Sequence, residues 1–389
     1  MAKRGLFYGI SSTILLLGLA SFFTDLSSEL IVPILPLFIA SLGGTGLIIG
    51  LIGGLSDAAI SVFKVFSGYW SDRMGKRKSL IIFGYSFSAI AKSIMALATS
   101  WWHVLILRPM ERVGKGVREP PRDALAAETT DKKIHGKVFG TLRVMDTLGA
   151  LVGSVLVFLF LYLWSMPFNK IFLIAGLIST LSLVSLIFVK EQKMKKLKLS
   201  LVMGLKKLPK DFRTFVIIAT IFAIADFSYM FFILKAKDFF ASYAIPVALY
   251  IIFNLSYSIF ALPLGILSDK IGKKKVLIYG YLLFVLACLS FIFSSSMPAF
   301  IFSFIIYGLA YAFIVGTERA FAADLAPKKE MGTALGTFHT LIAAATLPAS
   351  LIAGFLWEYV NHTAPFLFGA FIALIATVIF INTKNLDGK

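Results

Sequence analysis

The sequence is poor in cysteine and histidine: it has one cysteine, Cys288, and four histidines among 389 residues. A single cysteine excludes a disulfide within the chain and a metal cluster held by several thiolates. The motifs Gly-x-Ser-x-Gly, His-Glu-x-x-His and Gly-x-x-x-x-Gly-Lys-Ser/Thr are missing. We therefore predict a protein that is not an enzyme, holds no metal or cofactor, and does not hydrolyse ATP.

Charged residues are scarce as well, at 15% of the chain against 58% hydrophobic residues. Soluble domains are roughly half apolar and about a quarter charged. The apolar runs of this chain are about twenty residues long, which fits helices that cross a hydrocarbon core of ~30 Å. The alternation of apolar and polar residues that is typical of an outer-membrane barrel is missing. The composition therefore predicts an all-α integral membrane protein.

Twelve membrane-spanning helices are predicted from these runs. They cover approximately residues 8–39, 45–67, 79–98, 102–118, 136–162, 168–189, 213–241, 245–266, 276–295, 298–318, 332–357 and 364–382. The first run is long enough to span and lacks a small-residue cleavage site after a short apolar core, so we expect no cleavable signal peptide.

The basic residues lie on one side of this arrangement. The net charge is +18, from 38 lysines and arginines against 20 acidic residues. The basic residues gather in alternate loops, at Lys3 and Arg4, 73–78, Lys132 and Lys133, 190–213, 270–275, and Lys328 and Lys329. The loops between them, such as 41–46 and 294–298, have almost none. The positive-inside rule then predicts a multi-pass protein of the inner (plasma) membrane with both termini cytoplasmic, and no nucleic-acid partner.

One short pattern occurs twice, at residues 68–80 and again 197 residues later at 265–277. Both copies contain Gly, Asp, Gly and basic residues at the same spacing: Gly68, Asp72, Arg73, Gly75 and Arg77 in the first, and Gly265, Asp269 and Gly272 in the second. Each copy is a tight turn between two hydrophobic runs, where glycine allows close approach and positive φ. A repeat of this kind indicates two similar halves.

A second repeated segment supports this division. Residues 136–141, which open the fifth span, recur as residues 332–337, which open the eleventh. The stretch between the halves is charged and poor in apolar residues. We therefore predict an N-terminal bundle at 1–190, a cytoplasmic basic linker at 191–212 and a C-terminal bundle at 213–389.

The repeated loop resembles the signature loop between helices 2 and 3 of the major facilitator superfamily. Pro33-x-x-Pro36, and the glycine spacing from Gly140 to Gly149 and Gly153, are similar to patterns of the drug/proton antiporters of that superfamily. The resemblance implies twelve transmembrane helices in two pseudo-symmetric six-helix bundles, with a substrate site between them. It also implies alternating access, a rocking of the two halves about that site.

The resemblance further implies a gating role for both copies of the loop. In the family the two loop aspartates, here Asp72 and Asp269, hold the cytoplasmic side shut by capping helices 11 and 5. We predict Arg112 as a partner of the Asp72 loop. Glu318 and Arg319, at the end of the tenth span, are predicted to form an inner gate ion pair.

Charged residues within the predicted spans are the candidates for proton coupling or substrate binding, because such charges are costly and usually face a cavity. They are Asp25, Glu29, Asp57, Arg108, Arg143, Asp146 and Asp226. Asp25 and Glu29 are four residues apart and share a helix face. The alternative is that one or both of these acids are structural, either paired with a neighbouring arginine or located near the membrane interface. Asp146 is either a neutralising partner of Arg143 or a protonation site.

Together these features predict a monomeric secondary active transporter that uses the proton gradient to move a small-molecule substrate across the bilayer. The leading hypothesis is proton-coupled export of a small amphiphilic or hydrophobic organic compound. The alternatives are a symporter or facilitator for uptake of an organic solute or anion, and a transporter of a lipid or divalent cation. A membrane enzyme and a non-transporting solute sensor are alternatives of another class.

Overall fold

The computed structural model describes residues 11–130, 134–189, 208–327, 331–383 and 386, and of residues 331–333 it describes the backbone alone. In these ranges it contains fourteen α-helices and no strand, which confirms the all-α prediction. The helices are α1 Ser12–Ile31, α2 Leu35–Ser41, α3 Gly46–Met74, α4 Lys78–Met95, α5 Trp101–Glu128, α6 His135–Trp164, α7 Phe168–Ile187, α8 Lys210–Ala225, α9 Met230–Phe239, α10 Ala244–Ile271, α11 Lys273–Phe293, α12 Met297–Leu325, α13 Met331–Tyr359 and α14 Ala364–Asn382. Most of the predicted linker, residues 191–207, lies outside the described residues.

Two of the predicted spans are each divided into two helices. The first span contains α1 and α2, and Pro33 lies between them, where it removes a backbone donor. The seventh span contains α8 and α9 and has no proline at its break. Counting α8 with α9, ten described helices are long and apolar enough to cross a membrane. The third and fourth predicted spans, α4 and α5, fall short of that criterion.

The break between α8 and α9 covers residues 226–229. The N–H of Ser228 donates to Oγ of Ser350 at 3.2 Å, and the N–H of Met230 is 3.4 Å from Oγ of Ser228. Serine hydroxyls thus replace part of the helical bonding that is lost, as a non-helical stretch at membrane depth requires. The break leaves Asp226 directly at the C-terminal end of α8.

The contacts divide the chain into two compact units. Unit 1 consists of Met1–Leu35 and Ala59–Leu199, and unit 2 of Pro36–Ala58 and Ser200–Lys389. The first half of α3 therefore belongs to unit 2 and its second half to unit 1. The domain boundaries derived from the sequence, 190 and 213, stay a prediction.

The internal repeat is visible in the packing of both units. In unit 1, α1 packs on α6 and α7, and α4 packs on α5 and α7. In unit 2, α8 packs on α13 and α14, and α11 packs on α12 and α14. Each pair of unit 1 has a counterpart in unit 2 at the spacing of the sequence repeat, so the two halves share one packing scheme.

Within unit 2, the first half of α3 lies very close to α13. A Cβ added at Gly50 would fall on the carbonyl of Ser350, and one added at Gly354 would lie 2.6 Å from the carbonyl oxygen of Gly46. The N–H of Gly46 donates to Oε2 of Glu358 at 2.9 Å. Small residues allow helix backbones to approach this closely in a membrane.

In unit 1, glycines of α6 make a similar close contact with α1, and we expect Gly149→Ala to weaken it. A Cβ at Gly149 would fall on the carbonyl of Phe22. Overpacking of this kind costs about 1–3 kcal/mol. Gly140, on the same helix, has no atom within 4 Å of an added Cβ, and Gly140→Ala should be neutral or gain up to about 1 kcal/mol.

Intrinsic tryptophan fluorescence during unfolding measures this difference, because four of the five tryptophans lie in unit 1: Trp70, Trp101, Trp102 and Trp164. Equal unfolding midpoints for the two alanine variants would show that the contact between α1 and α6 is not as tight as the structure has it.

Candidate functional site

The deepest charged cluster of unit 1 is centred on Glu111 of α5, which is fully buried. Its Oε2 lies 2.8 Å from Nη1 of Arg108 and 3.5 Å from Nε of Arg112. Its Oε1 lies 3.9 Å from Nζ of Lys92 on α4. A buried carboxylate is tolerated only with such partners, since its desolvation is costly. The predicted site residue Arg108 is therefore part of an ion-pair cluster.

Lys92 also connects this cluster to α1. Its Nζ donates to Oγ of Ser27 at 2.5 Å, to Oγ of Ser28 at 2.9 Å and to the carbonyl of Thr24 at 3.3 Å. Lys92 was not included among the site residues predicted from the sequence. Its position inside a predicted span could have identified it, because a charged side chain there is costly and needs partners. Lys92 fixes the segment of α1 that carries Asp25 and Glu29.

Asp25 and Glu29 of α1 lie next to this cluster and are only partly buried. Oδ1 of Asp25 lies 3.8 Å from Nζ of Lys115 on α5. Oε2 of Glu29 accepts a hydrogen bond from Oγ of Ser154 on α6 at 3.2 Å. The same lysine lies 3.7 Å from Oε1 of Glu119. Lys115 is thus shared almost equally between two carboxylates.

Further along α5, Arg122 contacts several polar groups. Its Nη1 lies 3.3 Å from Oδ1 of Asp146, and its Nε lies 2.9 Å from Oδ1 of Asp123. Arg143, which was the neutralising partner in one of the two alternatives for the role of Asp146, is exposed. The side chain of Asp146 faces Arg122 on α5. It does not face Arg143, which lies one turn earlier on its own helix, and the ion pair is therefore formed with Arg122.

The first signature loop is held together by Arg77, whose side chain is 6% exposed. Its Nη1 lies 2.6 Å from Oδ1 of Asp72, and its Nη2 lies 2.7 Å from Oε1 of Glu128. Burial lowers the pKa of Arg77, but Glu128 and Asp72 outweigh it, and the pKa lies above its usual value. Gly75 has φ 65°, so the predicted positive φ is confirmed there.

The predicted pairing of Arg112 with the Asp72 loop is corrected by this geometry. Arg77 pairs with Asp72, whereas Arg112 lies beside Glu111. Arg112 precedes Glu128, which meets the loop, by sixteen residues of α5, or about 24 Å at 1.5 Å per residue. A residue at that depth does not reach the loop.

The second signature loop has a similar but more exposed arrangement. Nζ of Lys273 lies 3.3 Å from Oδ1 of Asp269 and 2.8 Å from Oδ2 of Asp324. The carboxylate side chains are 72% and 54% exposed. Gly272 has φ 95°, again as predicted. In both loops one cation joins the loop aspartate to a carboxylate at the end of the second helix after the loop.

The other predicted loop residues have looser surroundings. A Cβ at Gly68 would be 3.7 Å from Pro120, an ordinary contact, and one at Gly265 would have no atom within 4 Å. Arg73 is exposed, and its Nη1 lies 3.4 Å from the hydroxyl of Tyr69. Their proposed gating roles stay predictions.

In unit 2 two half-buried carboxyls are hydrogen-bonded to tyrosines. The hydroxyl of Tyr311 donates to Oδ1 of Asp226 at 2.8 Å, and that of Tyr281 donates to Oε1 of Glu318 at 2.7 Å. The predicted ion pair of Glu318 with Arg319 is not among the ion pairs of the described residues; Arg319 is exposed. Adjacent helical residues point in different directions, which explains why they separate.

Comparison with known proteins gives three findings. A sequence model of the Major Facilitator Superfamily matches residues 17–244 and 215–385. An uncharacterized MFS-type transporter of Methanocaldococcus jannaschii is 42% identical over 379 residues, which cover 96% of this chain and 95% of that protein. Multidrug resistance protein MdtH of Proteus mirabilis is 30% identical over 119 residues, 31% of this chain and 30% of that protein.

Solved structures share the fold over nearly the whole length. The crystal structure of the nucleoside transporter NupG has a TM-score of 0.79 and 15% sequence identity, covering 97% of this chain and 100% of that chain. At this identity the likeness concerns the fold alone.

Proposed function

Because the chain belongs to the major facilitator superfamily, and is therefore a secondary membrane transporter and not an enzyme, we propose that it exports small amphiphilic or hydrophobic organic compounds in exchange for protons. In this proposal the two halves alternate access to a substrate site, and the carboxyls of α1 couple that change to protonation.

The observation that carries the proposal is the sharing of Lys115 between Asp25, at 3.8 Å, and Glu119, at 3.7 Å. Asp25 is partly exposed, so water can bring a proton to it. When Asp25 is protonated its attraction for Lys115 is lost, and the lysine is then held by Glu119 alone. Loss of the proton restores the first pair. Protonation of Asp25 thus releases the connection that Lys115 makes between α5 and α1, because Glu119 lies on α5 itself.

Glu29 extends this arrangement toward α6. It accepts a hydrogen bond from Ser154 of α6, next to Gly153, where an added Cβ would fall on the carbonyl of Leu26. α1 and α6 are therefore in close contact at the level of this carboxyl. A change in its charge acts directly on the packing of both helices.

Export of organic compounds is supported by the likeness to multidrug resistance protein MdtH over 119 residues. The Pro33-x-x-Pro36 pair and the glycine spacing of α6 suggested this branch from the sequence; in the structure the first lies at the break after α1, and Gly149 and Gly153 lie at the close contact with α1.

Proton flux in proteoliposomes tests the proposal. A pH-sensitive dye inside reports proton movement when lipophilic cations, organic anions, sugars or divalent metals are added outside. We expect one organic class to move protons, and at least a tenfold loss of that flux in the double variant Asp25→Asn with Glu29→Gln. Asp211→Asn, in the first turn of α8, serves as a matched control and should keep the flux. Substrate movement without protons, unchanged by the double variant, would instead indicate a facilitator and make both acids structural.

A further inference from the structure

Four aromatic rings of unit 2 follow one another in a series that leads to Asp226. The ring centroids of Tyr229 and Tyr250 are 5.7 Å apart, those of Tyr250 and Phe253 5.6 Å, and those of Phe253 and Tyr311 5.5 Å. The hydroxyl of Tyr311 donates to Asp226. Since Tyr229 follows Asp226 by three residues, the series begins and ends at the break between α8 and α9.

The electrostatics at this break favour a positive charge. α8 ends at Asp226, and the last carbonyls of a helix carry a partial negative charge. The carboxyl of Asp57, on α3, adds a second acid that acts on Asp226. Asp226 takes part in none of the ion pairs found among the described residues. The faces of the aromatic rings are themselves negative and attract cations.

Three of these side chains are partly accessible to a ligand. Asp226, Tyr229 and Tyr311 are half-buried, whereas Tyr250 and Phe253 are buried. A hard metal ion needs about six to eight oxygen ligands, which ring carbons do not supply. A cation with apolar substituents can instead contact the rings and keep its charge near the carboxylate.

Asp25 and Glu111 of unit 1 differ from Asp226 in this respect. Asp25 lies beside Lys115, and Glu111 lies beside Arg108 and Lys92. A cationic ligand at those carboxylates would have to displace or approach a protein cation. Asp25 and Glu111 lie beside protein cations, whereas Asp226 has no ion pair in the described part of the chain, so we infer different roles for them.

We propose that Asp226, with the rings of Tyr229, Tyr250, Phe253 and Tyr311, binds an organic cation with apolar substituents, of the quaternary ammonium type, in competition with a proton. This inference rests on the proposed function and names its substrate class. Either a proton or the organic cation neutralises the same carboxylate, so the two exclude each other.

Other ionisable groups face Asp226 from the surrounding helices, and any of them that titrates adds to the pH dependence. They are Asp57 on α3, Tyr281 and Cys288 on α11, and Tyr307, Tyr311 and Glu318 on α12. The ordinary pKa of a carboxyl, about 4, lies below the range from pH 5.5 to 8, and those of cysteine, about 8.5, and tyrosine, about 10, lie above it. Protonation of a carboxyl here removes negative charge, so acidification should weaken cation binding.

Equilibrium dialysis of tritiated benzyltrimethylammonium against the purified full chain tests the proposal. We expect Asp226→Asn to weaken binding at least tenfold, and acidification from pH 8 to 5.5 to weaken binding to the wild type. Neopentylbenzene, the uncharged isostere, should not compete. Asp238→Asn, on α9 of the same unit, should bind within twofold of the wild type. Equal binding by the wild type and Asp226→Asn, or equal competition by the isostere, would overturn the proposal.

Tyr250→Leu provides a second, independent variant that keeps the acid and removes one ring. Binding should weaken about 3- to 10-fold, the range of one cation–π contact. If Asp226→Asn does not stay folded, the Tyr250→Leu variant and the pH series test the site, and unchanged binding in both would reject it.

The binding assay has no gradient, so it is independent of export. Proton flux without binding refutes this inference, and binding without proton flux refutes the proposed exchange.

Discussion

Glu111→Gln is expected to lower the free energy of unfolding of unit 1 by about 3–5 kcal/mol, the range for breaking a buried ion pair. The carboxylate is fully buried, 2.8 Å from Arg108 and 3.9 Å from Lys92. Glutamine keeps the size of the side chain but not its charge, so the buried cations lose their attraction to this position. Tryptophan fluorescence during chemical denaturation measures the change.

Glu119→Gln is the matched control for this experiment, since it removes a carboxylate from the same helix. Glu119 lies 2.6 Å from Lys64, and the two side chains are 21% and 36% exposed. Water screens such a pair, and its loss should cost about 1 kcal/mol or less. Equal destabilisation by the two glutamine variants would show that burial of Glu111 does not set the strength of its ion pairs.

The second large effect is expected for Arg77→Gln in the first signature loop. The variant removes charged hydrogen bonds to both Asp72 and Glu128. Each hydrogen bond to a charged group contributes about 1.5–3 kcal/mol, and partial exposure of the carboxylates reduces the sum. We therefore expect a loss of about 2–3 kcal/mol in unit 1, again followed by tryptophan fluorescence.

Lys273→Gln is the corresponding change in the second loop, and it should cost less than about 1 kcal/mol because its partners are exposed. Unfolding of unit 2 can be followed separately through Cys288, which is buried and is the one thiol in the sequence. A thiol-reactive dye labels it only when unit 2 opens. A larger loss for Lys273→Gln than for Arg77→Gln would contradict the difference in burial between the loops.

Most of the helical arrangement could be predicted from the sequence, because apolar runs and a repeated loop are local signals. The turn glycines Gly75 and Gly272 were identified correctly as positions with positive φ. The break at residues 226–229 was missed. It contains neither proline nor glycine, and one of its hydrogen-bond partners, Ser350, is 122 residues away.

The candidate site could be predicted only as a set of residues, without their partners. Charged side chains within spans were recognisable one by one, yet Asp72 was assigned to Arg112, and Arg143 was the partner considered for Asp146. The structure pairs them with Arg77 and Arg122. Such pairs depend on how each helix is rotated and on which helices are neighbours, and a single sequence gives neither.

The close contact between α3 and α13 has a consequence for biosynthesis. Gly46 and Glu358 are 312 residues apart, and a ribosome adds about 5–20 residues per second. At that rate the glycine-rich face of α3 is made about 15–60 s before the helix that will cover it. During that delay, other helices with small residues compete for the face, including those of a second nascent chain. The rate of translation through the later helices therefore influences how many chains assemble correctly.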